Sequence, residues 1–181
     1  AGTTPMHLRK DPVTRAALFI TEMNQWAMTY GEAVTCTFGE IQVFPNKSNV
    51  IAGSVSLSFD IRSTSPAILQ EAQTRIKNLQ QQKDGFRYAL EFAAPDAPAQ
   101  MDGDGLRLLE EAAKSLHLSY RKMHSGAGHD SQILAQKTKT NMIFIPSVGG
   151  ISHSPLEYSK PDDIGHGYLL LKVFLREIAW T

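Results

Sequence analysis

Three stretches of this chain carry side chains whose types and spacing could do chemistry. In PSVGGISHSP, residues 146–155, one histidine, His153, sits among glycines, serines and prolines directly after the apolar run NMIFI. A loop that follows a strand is where α/β folds present ligand groups, and a neutral imidazole there can hold a metal ion. A metal site needs three or four donors converging on one point. The chain has no His-x-Asp pair, and the adjacent Glu110 and Glu111 read as the solvated face of a helix. On spacing alone, His153 is either one ligand of a site completed elsewhere or a surface residue.

The second stretch is HSGAGHDS, residues 124–131, where glycines surround His129 between an expected strand and an expected helix. Glycines let a substrate approach the backbone, and free N–H groups at a helix start favour an anion. The stretch has neither the Lys-Ser/Thr pair of a phosphate loop nor dinucleotide-loop spacing. Ser125 and Ser131 lie close to His124 and His129, but no G-x-S-x-G elbow exists to support a serine nucleophile. A tight strand-to-helix turn and a substrate pocket both remain open readings.

The third is PNKSNVIAG…DIR. Arg62 projects from the polar face of its strand beside Asp60, and Asn49 lies in the turn leading into that strand. A guanidinium fork suits two-pronged capture of a carboxylate, and an amide can donate and accept beside it. The competing reading is an exposed arginine paired with Asp60.

The elements that must position these groups follow from periodicity. Asp11 and Pro12 start a helix with Val13, Ala16, Ile20, Met23, Ala27 and Tyr30 along one stripe, ended near Gly31. VTCTF and EIQVF alternate, and SVSLSFDIRS does so more cleanly, with Val55, Leu57, Phe59 and Ile61 on one face. Ser65 and Pro66 open a second helix carrying Leu69, Ala72, Ile76 and Leu79, and FRYALEF alternates as a further strand. Helix, strand, strand, helix, strand is a ferredoxin-like βαββαβ unit lacking its first strand.

From about residue 95 the texture changes. The Pro/Asp/Gly-rich APDAPAQMDGDG is a boundary, followed by an expected helix over 106–116, a strand at YRKMH, a helix from near Asp130, a buried strand at MIFI and a last helix from Asp162 to Trp180. That alternation implies an α/β layer. Two regions are expected, 1–100 and 101–181.

Composition narrows the classes of function. With 181 residues and 42% hydrophobic content a real core is possible, and 18 basic against 18 acidic residues leave no charge bias toward nucleic acid or a membrane surface. The single cysteine, Cys36, has no intrachain partner and fits a reducing compartment, with the cytoplasm as the expectation. No signal pattern opens the chain, which begins AGTTPM without an initiator methionine.

Read together, AGTTPM, PNKSNVIAGSVSLSFDIRS, MHSGAGHDSQILA and MIFIPSVGGISHSP resemble, in this order and near this spacing, the dinuclear-metal amidohydrolases that include N-carbamoyl-L-amino acid hydrolase, β-alanine synthase and allantoate amidohydrolase. The resemblance covers nearly the whole chain. It implies an α+β lid and dimerisation domain at 1–100, then the C-terminal part of a zinc-exopeptidase-like α/β catalytic domain at 101–181. By the same resemblance His153 is the last metal ligand, Asn49 and Arg62 hold the substrate carboxylate, and His129 with Gly128 faces the amide or ureido group.

The cofactor implied is a pair of divalent ions, zinc or manganese, and the substrate a small ureido acid cleaved at a C–N bond. The remaining ligands, the general base and the first lid strand are expected in an N-terminal portion outside this sequence, so the chain alone is expected to be inactive. A homodimer through the lid domain and a hinge near residues 95–103 are implied as well. MHSGAGHDSQI and the closing REIAW resemble the allantoate branch of the family. An N-carbamoyl-L-amino acid hydrolase, or a non-catalytic module that keeps the carboxylate clamp, are the alternatives.

Overall fold

The computed structural model describes residues 1–82, 84–93 and 97–179. Pro95 and Asp96 of the expected boundary and hinge, and Trp180 at the expected end of the last helix, lie outside the described residues. The chain divides into two compact units, Ala1–Pro98 and Ala99–Thr181.

In the first unit, α1 (Pro12–Met28) starts where the Asp11 carboxylate accepts the Val13 N–H at 2.9 Å and Pro12 occupies the first turn. Both features satisfy or avoid the unpaired donors of a helix start. Two antiparallel strands follow, β1 (Thr35–Phe44) and β2 (Ser54–Arg62), with Thr35 opposite Arg62 and Phe44 opposite Ser54. VTCTF and EIQVF thus form one strand, whose register shifts between Phe38 and Glu40 at Gly39, as at a bulge. The helix α2 (Pro66–Asn78) completes the unit.

One core holds it together. Phe19, Met23, Trp26 and Ala27 of α1 meet Ala72 and Ile76 of α2, with Val34 and Leu79, against the half-buried Phe38, Leu57, Phe59 and Ile61 of the hairpin. Phe19 stands edge-on to the cross-strand pair Phe38 and Phe59, with centroids 5.9 and 5.8 Å away. Because the inward residues of β2 are those at odd positions from 55 to 61, Ser56, Ser58, Asp60 and Arg62 face outward, as the alternation requires. A polar link ties the two helices: the Glu71 carboxylate accepts from Trp26 Nε1 at 2.9 Å, Tyr30 OH at 2.5 Å and Arg75 Nε at 2.9 Å.

The strand expected at FRYALEF is not formed. Residues 86–92 carry no ladder, although Tyr88 and Leu90 pack against the core, and the sheet is the two-stranded β1–β2 hairpin among the described residues. The reason lies in the topology of a split βαβ unit, where the last strand pairs only with the first. The described residues include no such strand. Side chains hold the segment instead: Arg15 donates to Asp84 at 3.1 Å, to Tyr88 OH at 2.8 Å and to Gln82 Oε1 at 2.6 Å.

In the second unit, α3 (Gly103–Ser115) starts at Asp102, whose carboxylate accepts the Gly105 N–H at 2.7 Å. A short helix α4 (Asp130–Leu134) and a long one, α5 (Pro161–Ala179), follow, and α5 packs on α3. Residues 141–145 run against both long helices at glycines: a Cβ on Gly105 would lie 1.9 Å from Asn141 Oδ1, and one on Gly167 would lie 2.6 Å from Ile145 Cγ2. The strands expected at YRKMH and MIFI are not formed among the described residues, and MIFI is not a buried run, since Phe144 and Ile145 are 49% and 40% exposed. A strand needs a neighbour to take its backbone groups, and neither segment pairs with the other. Ile164, Leu169, Leu171, Leu175 and Ile178 of α5 are exposed as well. Among the described residues no helix is long and apolar enough to cross a membrane.

Candidate active site

Each candidate residue sits at an element end or in a connecting loop. Arg62 is the last residue of β2, on the outward face, and it grips Asp60 with Nε to Oδ1 at 2.8 Å and Nη2 to Oδ2 at 3.0 Å. The hydrogen bond from Arg62 holds the Asp60 carboxyl below its ordinary range, and about half of each side chain remains exposed. The pairing that the sequence offered as the alternative to substrate capture is therefore formed, and it also fixes the guanidinium on the polar face.

Asn49 is exposed in the turn that joins β1 to β2, where the Val50 N–H donates to the Lys47 carbonyl and the Gly53 N–H to the Phe44 carbonyl. The strand rises about 3.3 Å per residue, so the steps from Ser54 to Arg62 put the two ends of the hairpin roughly 26 Å apart. Asn49 lies beyond the Ser54 end. Within one copy of the chain, the two residues do not meet around one carboxylate.

His129 is the N-cap of α4. Its Nδ1 accepts the backbone N–H of Ser131 at 3.1 Å and lies 2.9 Å from the Ser131 hydroxyl. Gly128, just before it, is exposed, and a Cβ there would meet nothing within 4 Å. That leaves open space over the backbone next to the histidine. Ser125 closes the preceding turn by donating to the Ala127 carbonyl and accepting the Ala127 N–H.

His153 is exposed in a tight loop and has φ = 56°, in the left-handed region that few non-glycine residues occupy. Its N–H donates to Glu157 Oε2 at 2.8 Å, and the loop is closed by the Ser147 hydroxyl on the Ile151 carbonyl at 2.6 Å and the Val148 N–H on the Tyr158 carbonyl at 2.8 Å. These bonds hold the backbone and leave the imidazole to other partners. Among the described residues no group of three or more His, Cys, Asp or Glu side chains could hold a metal ion. Among the described residues His153 therefore belongs to no such group.

Similarity to known proteins decides the family. The model of peptidase family M20/M25/M40 matches residues 7–177. The chain belongs to this family. The resemblance read from its four motifs is thereby borne out.

Among curated relatives of this M20 chain, it is 34% identical to an allantoate amidohydrolase of Escherichia coli over 99% of its own length and 44% of the relative's. It is likewise 34% identical to an N-carbamoyl-L-amino-acid amidohydrolase of Paenarthrobacter aurescens, covering 92% of this chain and 41% of that one. A solved amidase of the hydantoinase/carbamoylase family from Burkholderia multivorans superimposes with a TM-score of 0.86 at 32% identity, over 96% of this chain and 43% of that structure. The mixed helix-and-strand fold is shared with it. The chain spans less than half the length of the curated relatives it matches.

Two site contacts escaped the sequence reading: the tie from Ser131 to His129 Nδ1, and the carboxylate of Glu157 under the His153 backbone. Ser131 stands two residues after the histidine, the spacing at which a capping side chain reaches a backbone N–H. That spacing was the available signal. Nothing local marked Glu157.

Proposed function

We propose that the whole protein is a metal-dependent amidohydrolase that cleaves a C–N bond of a small ureido or carbamoyl acid, with allantoate as the first substrate and N-carbamoyl-L-amino acids as the alternative. The observation that carries this reading is the match along almost the entire chain to relatives named for those two substrates. Residues 1–100 act as a lid and dimerisation domain and residues 101–181 as the C-terminal part of the catalytic domain. The protein works in the cytoplasm.

Arg62 and Asn49 hold the substrate carboxylate, the guanidinium through a charged fork and the amide through its N–H. The strand-long separation between them supports a homodimer in which Arg62 of one copy and Asn49 of the other serve the same carboxylate. Asp60 keeps the arginine on the outward face. His129, with the open backbone at Gly128, meets the ureido oxygen.

His153 supplies one ligand to a pair of divalent ions, zinc or manganese, whose other ligands belong to the rest of the protein. The part of the site that this chain contributes is substrate binding and one imidazole. The isolated 181-residue chain, supplied with zinc or manganese, is expected to leave allantoate intact. Turnover by a rigorously pure sample of that chain overturns the division of the site.

A further inference from the structure

We propose that Ser131 is a positioning residue that fixes the His129 imidazole as a hydrogen-bond donor through Nε2, so that the ring serves its substrate by donating to an oxygen and not by accepting a proton. The inference rests on the reading of His129 as a pocket residue and deepens it.

The geometry leaves one tautomer. A backbone N–H can only donate, so the nitrogen it reaches, His129 Nδ1 at 3.1 Å, must carry a lone pair. A neutral imidazole with an unprotonated Nδ1 bears its hydrogen on Nε2. The Ser131 hydroxyl, 2.9 Å from the same nitrogen, is then also a donor, and two donors converge on one acceptor. Ser131 is itself buried, at 8% exposure, whereas the histidine is exposed, so the fixed end of the contact is the serine.

The choice of cap points the same way. Asn, Asp, Ser and Thr are the preferred N-caps because a short side-chain oxygen reaches the orphan N–H groups of the first turn. A histidine can do that with one nitrogen while presenting the other at a distance. Hydrolysis of a ureido group builds negative charge on its oxygen, and a fixed N–H donor aimed there stabilises the charge as it forms. A ring whose Nε2 already holds a proton cannot act as the general base through that atom, so the base must be another group.

The test uses the whole protein, labelled with ¹⁵N at histidine, and reads His129 by NMR without substrate. The expected spectrum has a protonated Nε2 and an unprotonated Nδ1. Ser131→Ala, which keeps the backbone N–H but removes the second donor to Nδ1, is expected to loosen that hold, so that a minor Nδ1–H population appears beside the Nε2–H form, and to lower kcat by about fivefold with little change in KM, the effect of one lost hydrogen bond. Ser131→Thr restores both readings. His129→Asn, which retains an oxygen to cap α4 but removes the distal donor, keeps the fold and lowers kcat by about a hundredfold.

A wild-type His129 protonated at Nδ1, or a Ser131→Ala variant with unchanged tautomer and kcat, overturns the proposal. Because the spectrum needs no substrate, the two readings fail separately. A protein with the Nε2–H tautomer but no turnover of either substrate overturns the proposed function, whereas an active enzyme with the Nδ1–H tautomer overturns the role of Ser131.

Discussion

Asn49 and Arg62 occupy opposite ends of one β-hairpin. Arg62 closes β2 opposite Thr35, and Asn49 lies in the turn beyond the Phe44–Ser54 pair. If both serve one carboxylate, they must come from two copies, and this can be tested by mixing. Asn49→Ala and Arg62→Ala homodimers are each expected to be impaired. Random exchange makes half the dimers mixed, with one intact clamp in each, so the mixture recovers roughly a quarter of wild-type activity. Turnover measured before and after subunit exchange decides it, and no recovery would place both residues in service of separate sites.

Arg62 and Asp60 give a graded prediction. Arg62→Lys keeps the charge but loses the planar fork, and is expected to raise KM by about tenfold or more with kcat nearly unchanged, since a carboxylate clamp binds ground state and transition state alike. Asp60→Asn keeps one acceptor oxygen and removes the negative charge paired with the guanidinium, so its KM rises less. Steady-state kinetics on the two variants checks the order, and a larger effect at Asp60 than at Arg62 would make the aspartate the binding group.

Glu71 provides the pH dependence. Hydrogen bonds from Tyr30, then Arg75 and Trp26, lower its carboxyl from 4.5 to about 2. A depressed carboxylate contributes stability that is complete above its unfolded value and lost as pH falls through its folded one. Wild type is therefore expected to exceed Glu71→Gln in stability at neutral pH, with the gap narrowing below about pH 4.5 and closing near pH 2. Urea midpoints for both proteins across that range provide the check; a gap that stays constant would show that the charge plays no part.

Arg15 tests how Gln82, Asp84 and Tyr88 are held without a ladder. Its guanidinium joins Asp84, Tyr88 and Gln82, and its side chain is only 13% exposed. Arg15→Ala is expected to cost on the order of 1–2 kcal/mol and to open this segment first. Limited proteolysis should then cut near residues 84–92 faster than elsewhere.

The helices of the first unit and the hairpin were legible in the sequence because each signal there is local. Asp11 and Pro12 begin α1, Ser65 and Pro66 begin α2, and the alternation of β2 by itself assigns Asp60 and Arg62 to the outward face. FRYALEF, YRKMH and MIFI carry strand-like patterns too, but a strand exists only with a neighbour, and periodicity does not reveal whether the neighbour is present. The apolar face of α5 shows the same limit: the pattern marks what is to be covered, not whether it is.

The candidate site was legible as residue types and only in part as geometry. His153, His129, Gly128, Asn49 and Arg62 stand out because glycines, turns and strand ends present them. The length of the hairpin between Asn49 and Arg62 was implicit in the spacing, but its consequence required knowing that residues 54–62 run as one extended strand. The tautomer of His129 depends on a hydrogen bond over two residues, a matter of distance and angle that residue types alone do not settle.

The most direct measurement is ammonia release from allantoate by the whole, metal-replete protein, run beside N-carbamoyl-L-amino acids. The account predicts release that depends on a divalent metal and a KM that rises in Arg62→Ala. Absence of hydrolysis with allantoate and with the carbamoyl amino acids alike would contradict it.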